Sequence, residues 1–356
     1  MDEILRKLVA FRTVDGDEPA MHQALDYIAT FVAQRGMHVE RFDLDGVESL
    51  VATSRPGHKT PKVMLAAHLD VVPGPDELFE LREINGKYYG RGVLDMKCAI
   101  AAYLQTIDEL ENVADYDFGL MITTDEEQGG TSVKKIIEEG YVPSVCILPD
   151  GGDDWQIQTH SKGFLYLKIT STGVPAHGSR PWLGRSALQP LLAIAHDIQV
   201  LFPNMSPETN TCNIGVLEAG EAPNQVPSSG TMLIDVRVIN EADRQHILAA
   251  TQEICAKHDG VAMDIIVDGT TTEFRLDDPY IRPFADIITD VTGVKVTGAR
   301  TLGSNDARFF AAIQTPCISF YPHGGGHHGP TEWLDKQAFI QMKKVISRYM
   351  EQIAKL

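Results

Sequence analysis

Basic residues and paired cysteines are what this sequence lacks. Against 49 Asp and Glu stand 31 Lys and Arg, a formal net charge of -18. That balance opposes any sequence-independent grip on a phosphate backbone or an anionic lipid surface. Nucleic acid and membrane surfaces are therefore disfavoured as partners. The cysteines (Cys98, Cys146, Cys212, Cys255 and Cys317) are scattered, odd in number and never spaced C-x-x-C, which argues against a disulfide framework or a thiolate zinc knuckle. A reducing cytoplasm is the expectation. No apolar run is long enough to cross a bilayer. The opening "MDEILRKLVAFRTV" lacks the apolar core of a signal peptide and instead places Ile4, Leu5, Leu8 and Val9 on one helical face. A P-loop, an H-E-x-x-H motif and a Rossmann fingerprint, which needs its glycines between a strand and a helix, are missing. So is a G-x-S-x-G elbow, which removes the lipase reading of "HGGG" at His323.

What is present is enough for two cores. At 356 residues the chain exceeds the size at which one hydrophobic core usually stops growing, and 43% of it is hydrophobic. The runs "VMLAAHLD", "FGLMITTDEE" and "SVCILPDGG" read as strands and alternate with helical segments at Met96 to Leu110 and Ser132 to Glu139. That alternation predicts an α/β fold with a mostly parallel sheet flanked by helices. From about Gly163 the pattern changes to strand "FLYLKITSTG", helix Ser186 to Ile198, strands "TCNIGVLEAG" and "TMLIDVRVI", helix Ala242 to Lys257 and strand "VAMDIIVDG". The order β-α-β-β-α-β is that of a ferredoxin-like unit. Helix and strand alternation resumes after Pro279, through "TPCISFYPHGG" to a helix from Asp335. The expected organisation is a discontinuous catalytic domain, 1–162 and 270–356, interrupted by an inserted domain, 163–269.

Acids and histidines gather where strands should stop, the edge at which ligands bind such sheets. His68 and Asp70 lie in "HLDVVPG", Asp95 in "GRGVLDMK", Glu126 and Glu127 in "TTDEEQGG", and Asp150 in "LPDGGD". A late cluster, "HGGGHHGPTEW", supplies His323, His327 and His328. Three consecutive acids at the end of a strand are either a solvated turn or a group facing positive charge. Imidazole and carboxylate together suit zinc or a similar ion, and one carboxylate can bridge two ions. Gly129 and Gly130 allow the turn that would let Glu126 and Glu127 do different jobs.

Taken in order, these segments resemble the di-zinc exopeptidase and deacylase family that includes acetylornithine deacetylase, succinyl-diaminopimelate desuccinylase and the glutamate-releasing carboxypeptidases. "HLDVVP" is similar to its H-x-D-V-V-P, "GRGVLDMK" to its G-R-G-x-x-D-M-K, "TTDEEQGG" to its D-E-E-x-G-G, and "HHGPTE" to a C-terminal H-x-x-x-E. The resemblance implies two divalent ions, zinc first, with cobalt and manganese as alternatives. Asp95 would bridge them, with His68 and Asp150 on one and Glu127 and His328 on the other. His328, with Glu332 four residues on, is preferred to His323 and His327. Glu126 would be the general base, and Asp70 would hydrogen-bond the second nitrogen of His68. The bond after Asp95 is often a cis peptide in this family.

In the inserted domain "GVPAHGSRPWLGRSA" resembles the segment whose histidine, here His177, donates to the oxyanion of the tetrahedral intermediate. In dimeric members that histidine comes from the neighbouring subunit, so the resemblance implies a homodimer through the inserted domain. Asn224 and Arg237 match positions that contact a substrate carboxylate, and Ser304 and Arg308 in "GSNDARFF" match a pocket-lining segment. The chain departs from the family in having Cys98 after "DMK", where glycine is common, and "PDGGDD" at the fourth cluster. Cys98 is either a mildly activated thiol at a helix start or a buried small residue. The expected function is hydrolysis of an amide in a small N-acyl amino acid or peptide bearing a free carboxylate. A dipeptidase or aminopeptidase reading, or a silent binding homologue, is the alternative.

Overall fold

The structure is a computed structural model, and it describes residues 2–356. The chain divides into two compact units. One comprises the described residues through His160 together with Glu273–Thr301 and Asn305–Leu356. The other comprises Ser161–Thr272 and the short piece Leu302–Ser304.

The first unit is built on a six-stranded sheet in the order His38–Asp43, Glu48–Thr53, Phe118–Thr123, Val63–His68, Val145–Leu148, Cys317–Ser319. The last four strands run parallel, and the first two add antiparallel at the edge. Val63–His68 and Phe118–Thr123 are buried along their whole length, as strands covered on both faces must be. The helices Asp2–Ala10, Glu18–Ala33, Lys97–Asp108, Ile281–Thr292 and Lys336–Tyr349 contribute to the same core. Lys97–Asp108 starts one residue later and ends two earlier than the sequence pattern predicts, because Met96 still belongs to the loop that precedes it. At Lys336–Tyr349 the Asp335 carboxylate accepts from the Ala338 amide at 2.8 Å and caps the helix start.

The second unit is a four-stranded antiparallel sheet in the order Thr211–Ala219, Ser229–Val238, Gly163–Thr172, Val261–Gly269. The helices Leu188–Val200 and Glu241–Ala256 complete the β-α-β-β-α-β order. Leu165, Leu167 and Ile169 alternate with half-buried or exposed residues and pack with Met232, Ile234 and Val236 under the two helices. Leu188–Val200 begins two residues later than predicted because Ser186 and Ala187 lie in the preceding turn, where Ala187 donates to the Pro227 carbonyl.

The cysteines are all free thiols. Cys98 is buried, donates to the Leu94 carbonyl at 3.3 Å, and has its thiol pushed up by burial, so the activated-thiol reading fails.

Tyr103 ties helix Lys97–Asp108 to the centre of the sheet, its hydroxyl facing the carbonyls of Ala66 at 3.2 Å and Ile147 at 2.8 Å. Tyr103→Phe is expected to lower the urea midpoint by the equivalent of about 1 kcal/mol without changing the fold. An unchanged midpoint would show that the hydroxyl contributes nothing.

Candidate metal centre

Parallel strands that end together bring distant residues together. His68 is the last residue of its strand; Asp95 precedes a helix; Glu126 and Glu127 follow Phe118–Thr123, and Asp150 follows Val145–Leu148. Donor atoms of His68, Glu126 and Asp150 all lie within 4.8 Å of one another, as do those of His68, Asp95 and Glu127. His328 joins from the late glycine-rich segment, with φ +61°, and its Nε2 stands 3.2 Å from Asp95 Oδ2 and 3.0 Å from Glu127 Oε2. On the other side of Asp95, His68 Nε2 stands 3.2 Å from Oδ1. The two oxygens of Asp95 thus face two different imidazoles.

The proton count shows why a cation fits. His68 Nδ1 donates to the Asp70 backbone carbonyl at 2.9 Å, so the ring proton sits there. Nε2 of a neutral ring then presents a lone pair to Asp95 Oδ1, another acceptor. Either the ring carries a second proton or a cation stands between them. Without a cation, burial pulls the His68 imidazole down but Asp70 and Asp95 outweigh it, and His328 is pushed up to about 10 by its contacts with Asp95 and Glu127. Burial and the charge of Asp150 raise Glu126 well above the ordinary carboxylate range, and burial with Asp95 pushes Asp150 up to about 6. Asp150 Oδ2 and Asp70 Oδ1 are buried without a hydrogen-bond partner. Imidazole nitrogens, crowded carboxylates and orphaned acceptors are the donor set of a borderline divalent ion.

The acids of the Asp125–Glu127 triplet are held in different ways. Asp125 turns away from the cluster and accepts from the Thr131 and Ser132 amides at 3.0 and 3.1 Å and from the Ser132 hydroxyl at 2.8 Å. Glu126–Gln128 makes one tight turn, and Gly129 closes it at φ +68°. A Cβ on Gly130 would fall on the Asp125 carboxylate. Glu127 is held by its amide, which donates to Asp70 Oδ2 at 2.9 Å. That contact revises the expectation for Asp70: its backbone carbonyl takes the His68 proton, while its carboxylate lies 3.5 Å from Nδ1 and anchors the Glu127 turn.

Three side chains that hold Asp150 were missed from the sequence. Tyr321 donates to Asp150 Oδ1 at 2.6 Å, and Asn305 and Ser319 both donate to the Asp150 carbonyl. Glu332 accepts from Arg91 and from the amides of Gly92, Leu94 and Asp95. Only Glu332 had a signal, the H-x-x-x-E spacing. His327 stacks on Tyr321 and His323 pairs with Asp154, so neither shows the contacts that His328 makes. Arg308 is buried and donates to the Gly130 carbonyl at 3.1 Å, behind the turn.

The other predicted residues belong to the second unit. His177 is exposed, and its Nδ1 accepts from the Ser179 amide at 3.1 Å, which leaves the ring proton on Nε2. His177 and Asn224 come together: Gly178 donates to the Asn224 carbonyl at 2.7 Å, and His177 pairs with Gln225. Arg237 does not join them. It sits where Ser229–Val238 pairs with Phe164, whereas the His177 loop leaves the sheet at Thr172, whose partner is Ser229. Eight residues of strand separate those ends, roughly 26 Å. Arg237 is also held by Asp235 at 2.7 and 2.9 Å and by the Tyr166 hydroxyl at 3.0 Å. The Ser304 hydroxyl is buried without a partner.

Residues 64–352 match the model of peptidase family M20/M25/M40. The chain belongs to this family. It is 26% identical to the succinyl-diaminopimelate desuccinylase of Bordetella petrii, over 98% of this chain and 97% of that one. It is 29% identical to a probable carboxypeptidase of Aspergillus terreus, over 65% of this chain and 59% of that protein's length. The fold is similar to that of a Staphylococcus aureus tripeptidase, with a TM-score of 0.78 at 17% identity over 99% and 98% of the two chains. As an M20 peptidase the chain is a hydrolase of amide bonds, and its family implies divalent metal ions for the cluster described above.

Protons and metal compete for the same atoms. Zinc or cobalt affinity of the chelated M20 chain is expected to fall as pH drops from 7 to 5, because Asp150, pushed up to about 6, takes up a proton over that range. Calorimetric titration across that range, in buffers that reveal proton release, reads both effects. Affinity independent of pH would contradict this assignment.

Proposed function

We propose that this M20 peptidase hydrolyses the amide of a small N-acyl amino acid or peptide bearing a free carboxylate, using two divalent ions, zinc first. The observation that carries the reading is Asp95, whose two oxygens each face a different imidazole nitrogen. His68 and Asp150 would hold one ion, Glu127 and His328 the other, with Asp95 between. Such a pair, when bound, lowers the pKa of water toward neutrality and polarises the scissile carbonyl.

The remaining work falls to the chain's own side chains. Glu126 takes a proton from the attacking water and passes it to the leaving amine. Its carboxylate lies within 4.8 Å of donor atoms of His68 and Asp150, beside the first ion's seat. His177, with its proton on Nε2, donates to the oxyanion. Arg237 offers the remaining face of its guanidinium to the substrate carboxylate, with Asn224 as a second contact and Ser304 and Arg308 along the pocket.

The distance between the His177 loop and Arg237 supports a homodimer. The strand ends that carry the His177 loop and Arg237 lie roughly 26 Å apart, longer than a small acyl amino acid, which favours one residue from each of two copies. In the dimer one copy supplies Arg237 and the other supplies His177 and Asn224. The relatives named as carboxypeptidase and desuccinylase support a substrate with a carboxylate over one read by its free amine. A dipeptidase or aminopeptidase activity is the second reading. The free, scattered cysteines support a cytoplasmic enzyme.

Glu126→Gln is expected to keep its metal and to lose about 10²- to 10⁴-fold in kcat against N-succinyl and N-acetyl amino acids. Metal loss in that variant would make Glu126 a ligand instead. Mixing inactive Glu126→Gln with inactive His177→Ala should restore activity, since each mixed dimer holds one intact site. No recovery from confirmed mixed dimers would place His177 in its own chain's site.

A further inference from the structure

Glu332 closes the H-x-x-x-E segment, yet the proposed reaction gives it nothing to do. It is 1% exposed, and its carboxylate is fully used. Oε2 accepts from Arg91 Nη1 at 3.0 Å and the Gly92 amide at 2.9 Å; Oε1 accepts from the Leu94 amide at 2.9 Å and the Asp95 amide at 3.1 Å. All four donors come from one five-residue stretch, and the last of them is the backbone of Asp95 itself.

Arg91 extends the connection. It is 3% exposed, and Nη2 reaches the Pro73 carbonyl at 3.4 Å, in the segment that also carries His68 and Asp70. Gly92 takes φ +80°, and a Cβ there would meet the Lys97 side chain at 2.9 Å, so the loop is pressed against the start of the following helix. Three stretches separate in sequence, around Pro73, around Asp95 and around Glu332, therefore meet at one buried carboxylate. On the far side of the same loop the Asp95 carboxylate faces His68 and His328.

We propose that Glu332 is a positioning residue: by hanging the Leu94 and Asp95 amides on one anion, it fixes where the Asp95 carboxylate stands between the two imidazoles and so sets the metal affinity of the centre. The inference rests on the reading of Asp95 as a shared ligand. A carboxylate suits the task because its two oxygens accept in all four directions. Glu332→Gln replaces one accepting oxygen by a donor, which then meets the N–H groups of either Arg91 and Gly92 or Leu94 and Asp95. Groups that orient a metal ligand from behind typically change affinity by about 10- to 100-fold when altered.

The test uses full-length wild type and Glu332→Gln, both stripped by chelator and titrated with Co²⁺ below the melting points of both. Affinity is read by competition with a chelator and geometry by the visible d–d bands. The expected result is an affinity loss of about 10- to 100-fold with shifted bands, and a fall in kcat larger than any change in KM. A folded Glu332→Gln that binds Co²⁺ with wild-type affinity and bands, whatever its melting temperature, overturns the proposal and leaves Glu332 a packing residue. Wild type that takes up no Co²⁺ or Zn²⁺ overturns instead the reading of the centre on which the proposal rests. Should Glu332→Gln fail to fold, Arg91→Lys reads the same link, since it keeps the charge but loses the fork between Pro73 and Glu332. Several-fold weaker Co²⁺ binding supports the proposal, and unchanged binding overturns it.

Discussion

The first unit is organised around an electrostatic conflict. Asp95, Glu126, Glu127 and Asp150 crowd against one another at the ends of buried strands, and a neutral His68 ring among them presents an acceptor to an acceptor. Desolvation makes the conflict worse, since each charge removed from water loses hydration that its like-charged neighbours cannot replace. Protons resolve it partly, by lifting Glu126 and Asp150 and by charging His68 and His328. Divalent cations, which the family implies, would resolve it.

The surroundings of the cluster read as supports for that arrangement. Asp125 fixes the turn that parts Glu126 from Glu127; Tyr321, Asn305 and Ser319 hold Asp150; Glu332 holds the loop of Asp95. Asn305, Ser319 and Glu332 are buried, Asp125 and Tyr321 are partly buried, and all are hydrogen-bonded, so the ligands stand on a frame that the sheet itself supplies. The parallel strands do the rest, because they end together and place residues from distant parts of the chain at one edge.

Much of this could be read before any coordinates. Alternating apolar runs and helical periods located the parallel strands, and acids at the strand ends marked the edge that carries the site. The β-α-β-β-α-β order of the second unit was also visible, though helix starts slipped by one or two residues, since Met96, Ser186 and Ala187 fit a helical pattern while lying in turns. The supports were harder to see. Tyr321 and Asn305 sit in segments with no spacing signal, and their partner is a residue more than 150 positions away. For Asp70 the resemblance pointed to its carboxylate, whereas its backbone carbonyl accepts from His68 and its carboxylate accepts from the Glu127 amide. For Arg237 the resemblance pointed to a substrate carboxylate, whereas Asp235, two residues earlier on the same strand, already holds its guanidinium.

The central claim is that the cluster is a seat for two cations sharing Asp95. Crystals of the zinc-loaded protein, measured at energies above and below the zinc absorption edge, test it most directly. The account predicts two anomalous peaks flanking Asp95, one bounded by His68 and Asp150 and the other by Glu127 and His328. A protein saturated with zinc that shows no peak between these side chains, or shows its ions elsewhere, would contradict it.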